Sequence, residues 1–419
     1  MHPRFTAAIR VLLGGFAAAL FVVTVHAQDA SPGVPASEAN HFIATPKGWV
    51  HPRTAWGEPD IQGMFNFSFV GTVPLERCGG GGAGRAPADL VAKAQAAAQA
   101  QAAARGDGAG AGRGGGGRAG GGGGRAGGGG RAGGGRGGAC DPAVAFRPEE
   151  QYQAQLKQAA ERVDRHLQLL ETGDFGGALQ SGVTDPTWPQ RQTSLIMDPP
   201  DGRLPPLTAE GNRRMMEMRS SWSWFNGETL VWDAPQDFDV WDRCITRGMP
   251  ASMGPYRYNN GMEILQSPGY VVLNLEMVHE ARVIPVDGRP GVSPTITQWM
   301  GESRGRWEGN TLVIETANFK SGASMTNIGV AGSPAGNRIP TSEQMTITER
   351  ITRLDNDHIL YSITTGDPLI LTRPWTARFP LKNDPTYEWW EYACHEGNTA
   401  IPNFITSSRA ERAAQAGGR

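Results

Sequence analysis

Histidine is scarce in this chain, at eight of 419 residues, and cysteine is scarcer, at four. The histidines form no HExxH or HxH pattern and the cysteines no CxxC, which excludes the signatures of a helix-borne zinc site, a zinc ribbon and a dithiol redox centre. A GxSxG elbow is lacking, and nothing marks the serine of Gly301-Glu-Ser-Arg304 as activated. No Gly-Lys-Ser/Thr follows the glycine-rich tract, so that tract is no phosphate loop. Beyond Val25 no apolar run approaches the ~20 residues that cross a bilayer. A large excess of either charge is lacking too, the formal net charge being −2.

What is present begins with an export signal. Arg4 and Arg10 precede an apolar stretch from Val11 to Val25, and Val25-His26-Ala27 offers small residues at the two positions a signal peptidase reads. Cleavage near Ala27 is expected, placing the mature chain in an oxidising space such as a bacterial periplasm. An even cysteine count there favours disulfides over metal thiolates. Three pairings are open, and Cys78 with Cys140 and Cys244 with Cys394 is the favoured one. The first would close the base of a low-complexity tract at residues 79–139. That tract has an alanine- and glutamine-rich part, Ala88 to Ala104, and then glycine with arginine at intervals. It buries too little apolar surface to offset its ordering entropy and is expected to be a disordered, solvated insertion. Arginine–glycine repeats can bind RNA, but interleaved aromatics are absent and the compartment is wrong, so no nucleic-acid partner is expected. Without signal and tract the remainder carries roughly −10, which argues against polyanions.

The reading divides the chain into a signal (1–27), an extended N-terminal part of the core (28–78), the insertion (79–139), a helical and proline-rich strap region (140–225), an antiparallel β core (226–400) and a tail (401–419). Strands are expected at Thr229–Trp232, Met262–Gln266, Tyr270–His279, Trp299–Trp307, Thr311–Thr316, Met345–Arg353, Ile359–Thr365, Leu369–Pro380 and Tyr387–His395. Several flank tight-turn signals: Ser267-Pro268-Gly269, Glu308-Gly309-Asn310 and Asp355-Asn356-Asp357. The fold class is mainly β, a calycin- or lipocalin-like antiparallel barrel or curved sandwich with irregular N-terminal wrapping. Two short helices are expected, Pro148–Glu171 with an apolar stripe and Thr208–Arg219 opened by Thr208. Asp198-Pro-Pro-Asp-Gly-Arg-Leu-Pro-Pro-Leu-Thr208 reads as a stiff extended strap with a turn at Asp201-Gly202, not as a calcium loop.

The core also carries Trp56-Gly-Glu-Pro-Asp-Ile-Gln-Gly63, Pro74-Leu-Glu-Arg77, the Asp198–Thr208 strap, Arg243-Cys-Ile-Thr-Arg-Gly248, Tyr258-Asn-Asn-Gly261, Gly305-Arg-Trp-Glu-Gly-Asn-Thr-Leu-Val-Ile-Glu-Thr316, Thr372-Arg-Pro-Trp-Thr376 and Tyr392-Ala-Cys-His-Glu-Gly-Asn398. With these strings the chain resembles a large family of secreted bacterial proteins, over almost the whole mature length. The resemblance implies export and a shared architecture, and implies no particular reaction. Typical members run from the Pro-Leu-Glu-Arg segment almost directly into the helix near Pro148, so the 79–139 tract is a departure.

Candidate chemistry follows from residue types. His279 and His395 are each expected at a strand end amid carboxylates: Glu276 and Glu280 near the first, Glu391 and Glu396 near the second. On a strand, residues four apart share a side, which aligns Glu391 with His395 and Glu276 with Glu280. Should the two ends converge at one mouth of the barrel, His279, His395, Glu276, Glu391 and Glu396 would suit general acid–base work of a hydrolase, lyase or isomerase type. His279, His395 and Glu391 would alternatively suit a divalent metal, though no cofactor is evident. The bland alternative is that both histidines bond to neighbouring strands or to Arg282. Twelve tryptophans, mostly on or beside strands, either fill the core or line a pocket with stacking surfaces. Arg282, Arg243, Asn260, Trp299, Arg373 and Trp375 are the candidate ligand contacts. Arg243, Arg247 and Arg373 would orient a carboxylate or phenolate, or pair with Asp239, Asp242 and Asp367. The expected partner is a small aromatic or carbohydrate-like molecule, bound and transformed. A non-catalytic periplasmic binder and an envelope structural protein are the alternatives, and the oligomeric state is open.

Overall fold

Alternation of apolar and polar residues builds one antiparallel sheet. The structure, a computed structural model, describes residues 43, 45–71, 73–78, 141–174, 190–218, 220–221, 231–256, 258–320 and 339–417. Among the described residues there are ten strands: β1 (Gly63–Asn66), β2 (Ile196–Asp198), β3 (Gly261–Ser267), β4 (Tyr270–Leu275), β5 (Glu280–Pro285), β6 (Glu302–Glu308), β7 (Thr311–Ala317), β8 (Thr346–Arg353), β9 (His358–Gly366) and β10 (Trp375–Asn383). Nine run in the order β5-β4-β3-β1-β10-β9-β8-β7-β6, with β2 added alongside β10. The sheet curls until its two edges, β5 and β6, meet, giving a nearly closed barrel.

Strand β9 shows how the pattern folds. Ile359, Tyr361, Ile363 and Thr365 are buried, and the residues between them are half-exposed. Buried residues on the other strands, with partly buried Trp307 on β6, complete a core that includes Phe65, Ile264, Leu273, Ile284, Ile314, Ile351, Tyr361, Trp375 and Phe379. Gly269 and Gly309 turn two hairpins with φ of 79° and 60°, values that glycine tolerates at no steric cost. The Asp355 carboxylate caps the β8–β9 turn by accepting from the backbone N–H groups of Asp357 and His358, both at 2.8 Å.

Among the described residues no ladder joins β5 to β6, yet the seam is tight. A Cβ at Gly305 would sit 2.7 Å from Val286 Cγ1 and 3.0 Å from Ile284 Cγ2. The glycine is needed there for close approach, not for its backbone angle. Gly305→Val is expected to cost about 1–3 kcal/mol by overpacking, read as a lower denaturant midpoint. An unchanged midpoint would show that the seam opens freely.

Helices lie outside the barrel: α1 (Glu149–Glu171), α2 (Ala209–Glu217) and α3 (Ala400–Gly417). Thr208 caps α2 as expected, its hydroxyl accepting from Gly211 N at 2.9 Å. None of the described helices is long and apolar enough to cross a membrane. The Pro-Leu-Glu-Arg motif is a fastening: buried Arg77 donates to the carbonyls of Pro142 and Pro200, and Glu76 accepts from Leu204 N.

Several expectations change. Strand β1 pairs β3 with β10 through four residues, and the sequence reading passed over it. The strand expected at Tyr270–His279 stops at Leu275, and a separate strand, β5, starts at Glu280. Tyr387–His395 belongs to no strand, its last two residues lying in a turn, and the segment read as a C-terminal tail is mostly the helix α3. Of Thr229–Trp232, residues 229 and 230 lie outside the described residues, and Val231 and Trp232 are not in a strand. The insertion at 79–139 lies outside them as well.

Candidate functional site

The site is assembled at the end of the barrel where β3 begins, β4 stops and β5 starts. Three segments meet there: the β4–β5 turn, residues 239–260, and a strap at 387–398 that belongs to no strand.

The turn is strained. Val278 and His279 have φ of 61° and 53°, a region that a β-branched residue such as valine occupies only at a cost of about 1–3 kcal/mol. His279 is therefore in a tight turn between two strands, which corrects its expected place at the end of a strand running from Tyr270. The turn brings Glu276, fully buried, under the strap. One carboxylate oxygen of Glu276 accepts from Trp390 N at 2.9 Å, and the other from the Tyr387 hydroxyl at 2.5 Å and Gly261 N at 3.1 Å. His279 Nε2 accepts from Tyr392 N at 3.3 Å. The strap is also tied covalently, since Cys244 and Cys394 form a disulfide. Cys78 is disulfide-bonded too; its expected partner, Cys140, lies outside the described residues.

Residues 239–260 bring Arg247 and a group of aromatic rings. The Arg247 guanidinium lies 4.7 Å from the Tyr256 ring centroid and 5.5 Å from that of Trp241. It donates to the Gly254 carbonyl at 3.2 Å. Tyr256 packs edge-on against Trp241 and Tyr258, at 5.1 and 5.0 Å. Tyr258 stacks on Tyr392 of the strap at 6.2 Å. Arg247 is 2% exposed and Tyr258 38%, so the cluster runs from the interior to solvent. Burial holds Arg247 down at about 10, against the opposing pull of the Tyr256, Tyr258 and Tyr392 hydroxyls and of Glu280. Burial likewise pushes the Tyr258 hydroxyl up.

Strand β5 turns Glu280, Arg282 and Ile284 to its inner side. Ser252 Oγ donates to Glu280 Oε2 at 2.9 Å. Burial raises the Glu280 carboxyl above the ordinary carboxylate range, although the Thr246 and Ser252 hydroxyls, Arg282 and Arg247 oppose the shift. One layer deeper, Arg282 is engaged in a bidentate ion pair with Glu349 on β8, at 2.8 and 2.5 Å. Arg282 also reaches Ser303 Oγ on β6 and Thr316 Oγ1 on β7, at 3.2 and 3.3 Å. The Tyr361 hydroxyl on β9 donates to the same Glu349 at 2.6 Å. The Arg282 charge is thereby balanced within the barrel wall.

Of the sequence candidates, Glu276, His279 and Arg282 come to this end of the barrel. Glu276 anchors the strap with both of its oxygens occupied, and Arg282 braces strands. Glu391, His395 and Glu396 are exposed on the strap, because 387–395 is not the strand that would have aimed them inward. Among the described residues no group of three or more His, Cys, Asp or Glu is placed to hold a metal ion, so His279, His395 and Glu391 do not assemble as a ligand set.

Asn260 locks its own turn, accepting from Tyr256 N and donating to Tyr256 O and Ser68 Oγ. Trp299 is half-buried beneath Lys320, at 4.6 Å. Arg373 is exposed and pairs with Asp198 at 2.9 Å, and Trp375 is core. Arg243 is half-buried beside Cys244. Asp242 accepts from the backbone N–H and hydroxyl of Ser221, and Asp367 does the same for Ser342.

The sequence reading placed Glu280 beside His279 but gave no role to its carboxyl, raised by burial, or to tyrosines 256, 258 and 392. The signal available was local: Arg247 and Tyr392 each stand within three residues of a half-cystine, so the Cys244–Cys394 bridge brings them together. Comparison with family models, with curated proteins and with solved structures gave no match.

Proposed function

We propose that the protein binds a small aromatic molecule at this end of the barrel and exchanges a proton with it through Glu280. The observation that carries the reading is Glu280 itself: a carboxyl raised by burial, held by Ser252 and Thr246, facing an arginine stacked on aromatic rings. Ends of β-barrels are a common place for small-molecule sites, and a raised carboxyl is the state a general acid requires. The Tyr258–Tyr392 pair supplies stacking surface where solvent reaches the cluster. An exported site of action is supported by the disulfide, by the N-terminal sequence and by the strings shared with the secreted family it resembles.

The test is a titration of small aromatic compounds followed by tryptophan emission, since Trp241 borders the site. Saturable quenching is expected, weakened at least about tenfold in Tyr258→Ala. Absence of any saturable ligand, or affinity indifferent to Tyr258, would sink the reading.

A second expectation concerns stability. A carboxyl whose folded pKa is raised binds its proton more tightly folded than unfolded, so it penalises the folded state once pH climbs past the folded value. The penalty disappears as pH falls below the unfolded carboxylate range. Glu280→Gln is therefore expected to melt at higher temperature than the parent at neutral pH, with the difference vanishing in acid. A lower melting temperature at neutral pH would mean that the charged carboxylate is a structural tie.

A further inference from the structure

We propose that residues 49–60 form an acid-released strap across the end of the barrel away from the aromatic cluster, and that protonation of His51 frees it. Strand direction puts the β3–β4, β6–β7 and β8–β9 turns at that end, and the segment reaches each of them or the strand beside it. Trp49 Nε1 donates to Asn356 Oδ1 in the β8–β9 turn at 3.4 Å, and Arg53 to Asn310 Oδ1 in the β6–β7 turn at 2.9 Å. Gln266, near the end of β3, donates through Nε2 to Pro59 O at 3.0 Å. The segment also folds back on itself, with Thr54 N donating to Glu58 O and Asp60 N to Pro52 O, both at 2.9 Å. It enters the barrel at Ile61, which is fully buried.

The chemistry lies in His51, which is 8% exposed and sits edge-on to the Trp49 ring at 5.2 Å. Its Nδ1 is 3.0 Å from Pro52 O. A carbonyl only accepts, so Nδ1 carries the proton and Nε2 of the neutral ring is a bare lone pair. Nε2 is buried, and among the described residues it has no hydrogen-bond partner. Protonation places a donor there with nothing to receive it. It also adds a cation among cations. The charged groups facing the ring are Arg53 and Asp60 of the segment and Arg353 at the end of β8. Arg353 donates to carbonyls, those of Asp355, Asp60, Gln62 and Asn356. Among the described residues no carboxylate pairs with Arg353 or with Arg53. Asp355, on the adjacent turn, is taken up by His358 and by two backbone N–H groups. Burial holds the imidazole below the ordinary histidine value, helped by both arginines and opposed by Pro52 O and Asp60. Release of the strap exposes the ring and restores the ordinary value. The folded form thus binds its proton less tightly than the released one. The strap is fully favoured above about pH 6.5 and loses hold as pH falls through that value toward the folded one.

Amide hydrogen exchange of the full chain at about pH 7.5 and about pH 5, corrected for the intrinsic rate, reads the strap directly. Peptides covering 49–60 are expected to lose protection at least about fivefold at the lower pH, while β8 and β9 keep theirs. His51→Asn keeps a donor for Pro52 O and does not titrate, so its protection is expected to be equal at the two pH values. Arg53→Gln keeps a donor for Asn310 without the charge, and is expected to shrink the acid effect. The His51 ring C–H resonance is expected to titrate below about 6.5. Equal protection of the parent strap at both pH values overturns the proposal, as does an acid loss that persists in His51→Asn. Loss that spreads through β8 and β9 is acid unfolding of the barrel and overturns it too. Where His51→Asn leaves the strap open at both pH values, the parent resonance decides: titration at or above about 6.5 overturns the proposal, and titration below it upholds it.

Discussion

Arg282→Met is expected to lower unfolding stability by about 3–5 kcal/mol, the largest loss from any single substitution in the barrel. The cost arises from what is left behind. Glu349 is fully buried, with side-chain exposures of 3% and 0% across the ion pair, and it would keep the Tyr361 hydroxyl but lose both guanidinium bonds. An uncompensated buried carboxylate pays its desolvation penalty in full. The pair also spans the seam: Arg282 sits on β5, the edge strand that forms no ladder with β6, and reaches Ser303 on β6, Thr316 on β7 and Glu349 on β8. Side-chain bonds there do what backbone bonds do between the other strands. Removing both charges should cost less, because an apolar pair of similar volume avoids the desolvation. The double variant Arg282→Met/Glu349→Leu is thus expected to recover most of the loss in urea unfolding. A double variant as unstable as the single one would show that the hydrogen bonds to Ser303 and Thr316 matter more than the ion pair.

Removing the Cys244–Cys394 bridge is expected to have the next largest effect, about 2–5 kcal/mol in the chain-entropy account. The two cysteines are 150 residues apart in sequence, so the crosslink restricts a long stretch of the unfolded chain, including most of the barrel. Its structural consequence is local. The strap carries Tyr392 into the aromatic cluster, and its other ties are hydrogen bonds to Glu276 and His279, with Asn398 Nδ2 donating to Asp242 O at 2.9 Å. Without the crosslink, residues 387–398 should become sensitive to chymotrypsin at Tyr387, Trp389, Trp390 and Tyr392. Aromatic ligand affinity should fall with them. Glu276→Ala, which keeps the bridge and cuts two of the strap's hydrogen bonds, should loosen the strap less. Protection unchanged in the Cys244→Ser/Cys394→Ser variant would show that Glu276 alone seats the strap.

What the sequence determined by itself is the set of local hairpins. The β3–β4, β6–β7 and β8–β9 pairs were legible because each joins period-two alternation to a turn of Gly, Asn or Asp within a few residues, and these interactions close over short stretches of chain. From them a mainly β, barrel-like fold followed. The helices α1 and α2 were legible from an apolar stripe and a threonine cap, and the Cys244–Cys394 bridge was among the pairings the cysteine count allowed.

Tertiary structure decided the rest. Strand β1 is four residues long and exists because β3 and β10, roughly 200 and 320 residues away, offer it two edges; no local pattern encodes that. The β4–β5 turn contains neither glycine nor proline. Val278 and His279 take left-handed angles that packing imposes against their own preference, so the alternation seemed to run on through His279 and hid β5. The alternation at 387–395 belongs to a strap that meets the barrel through a carboxylate and a disulfide, which left His395, Glu391 and Glu396 in solvent. Arg247, Tyr256, Tyr258, Glu280 and Tyr392 are brought together only by barrel closure and the crosslink. Burial, which gives Glu280 its raised carboxyl and Arg247 its lowered guanidinium, is a property of that assembly and of no residue by itself.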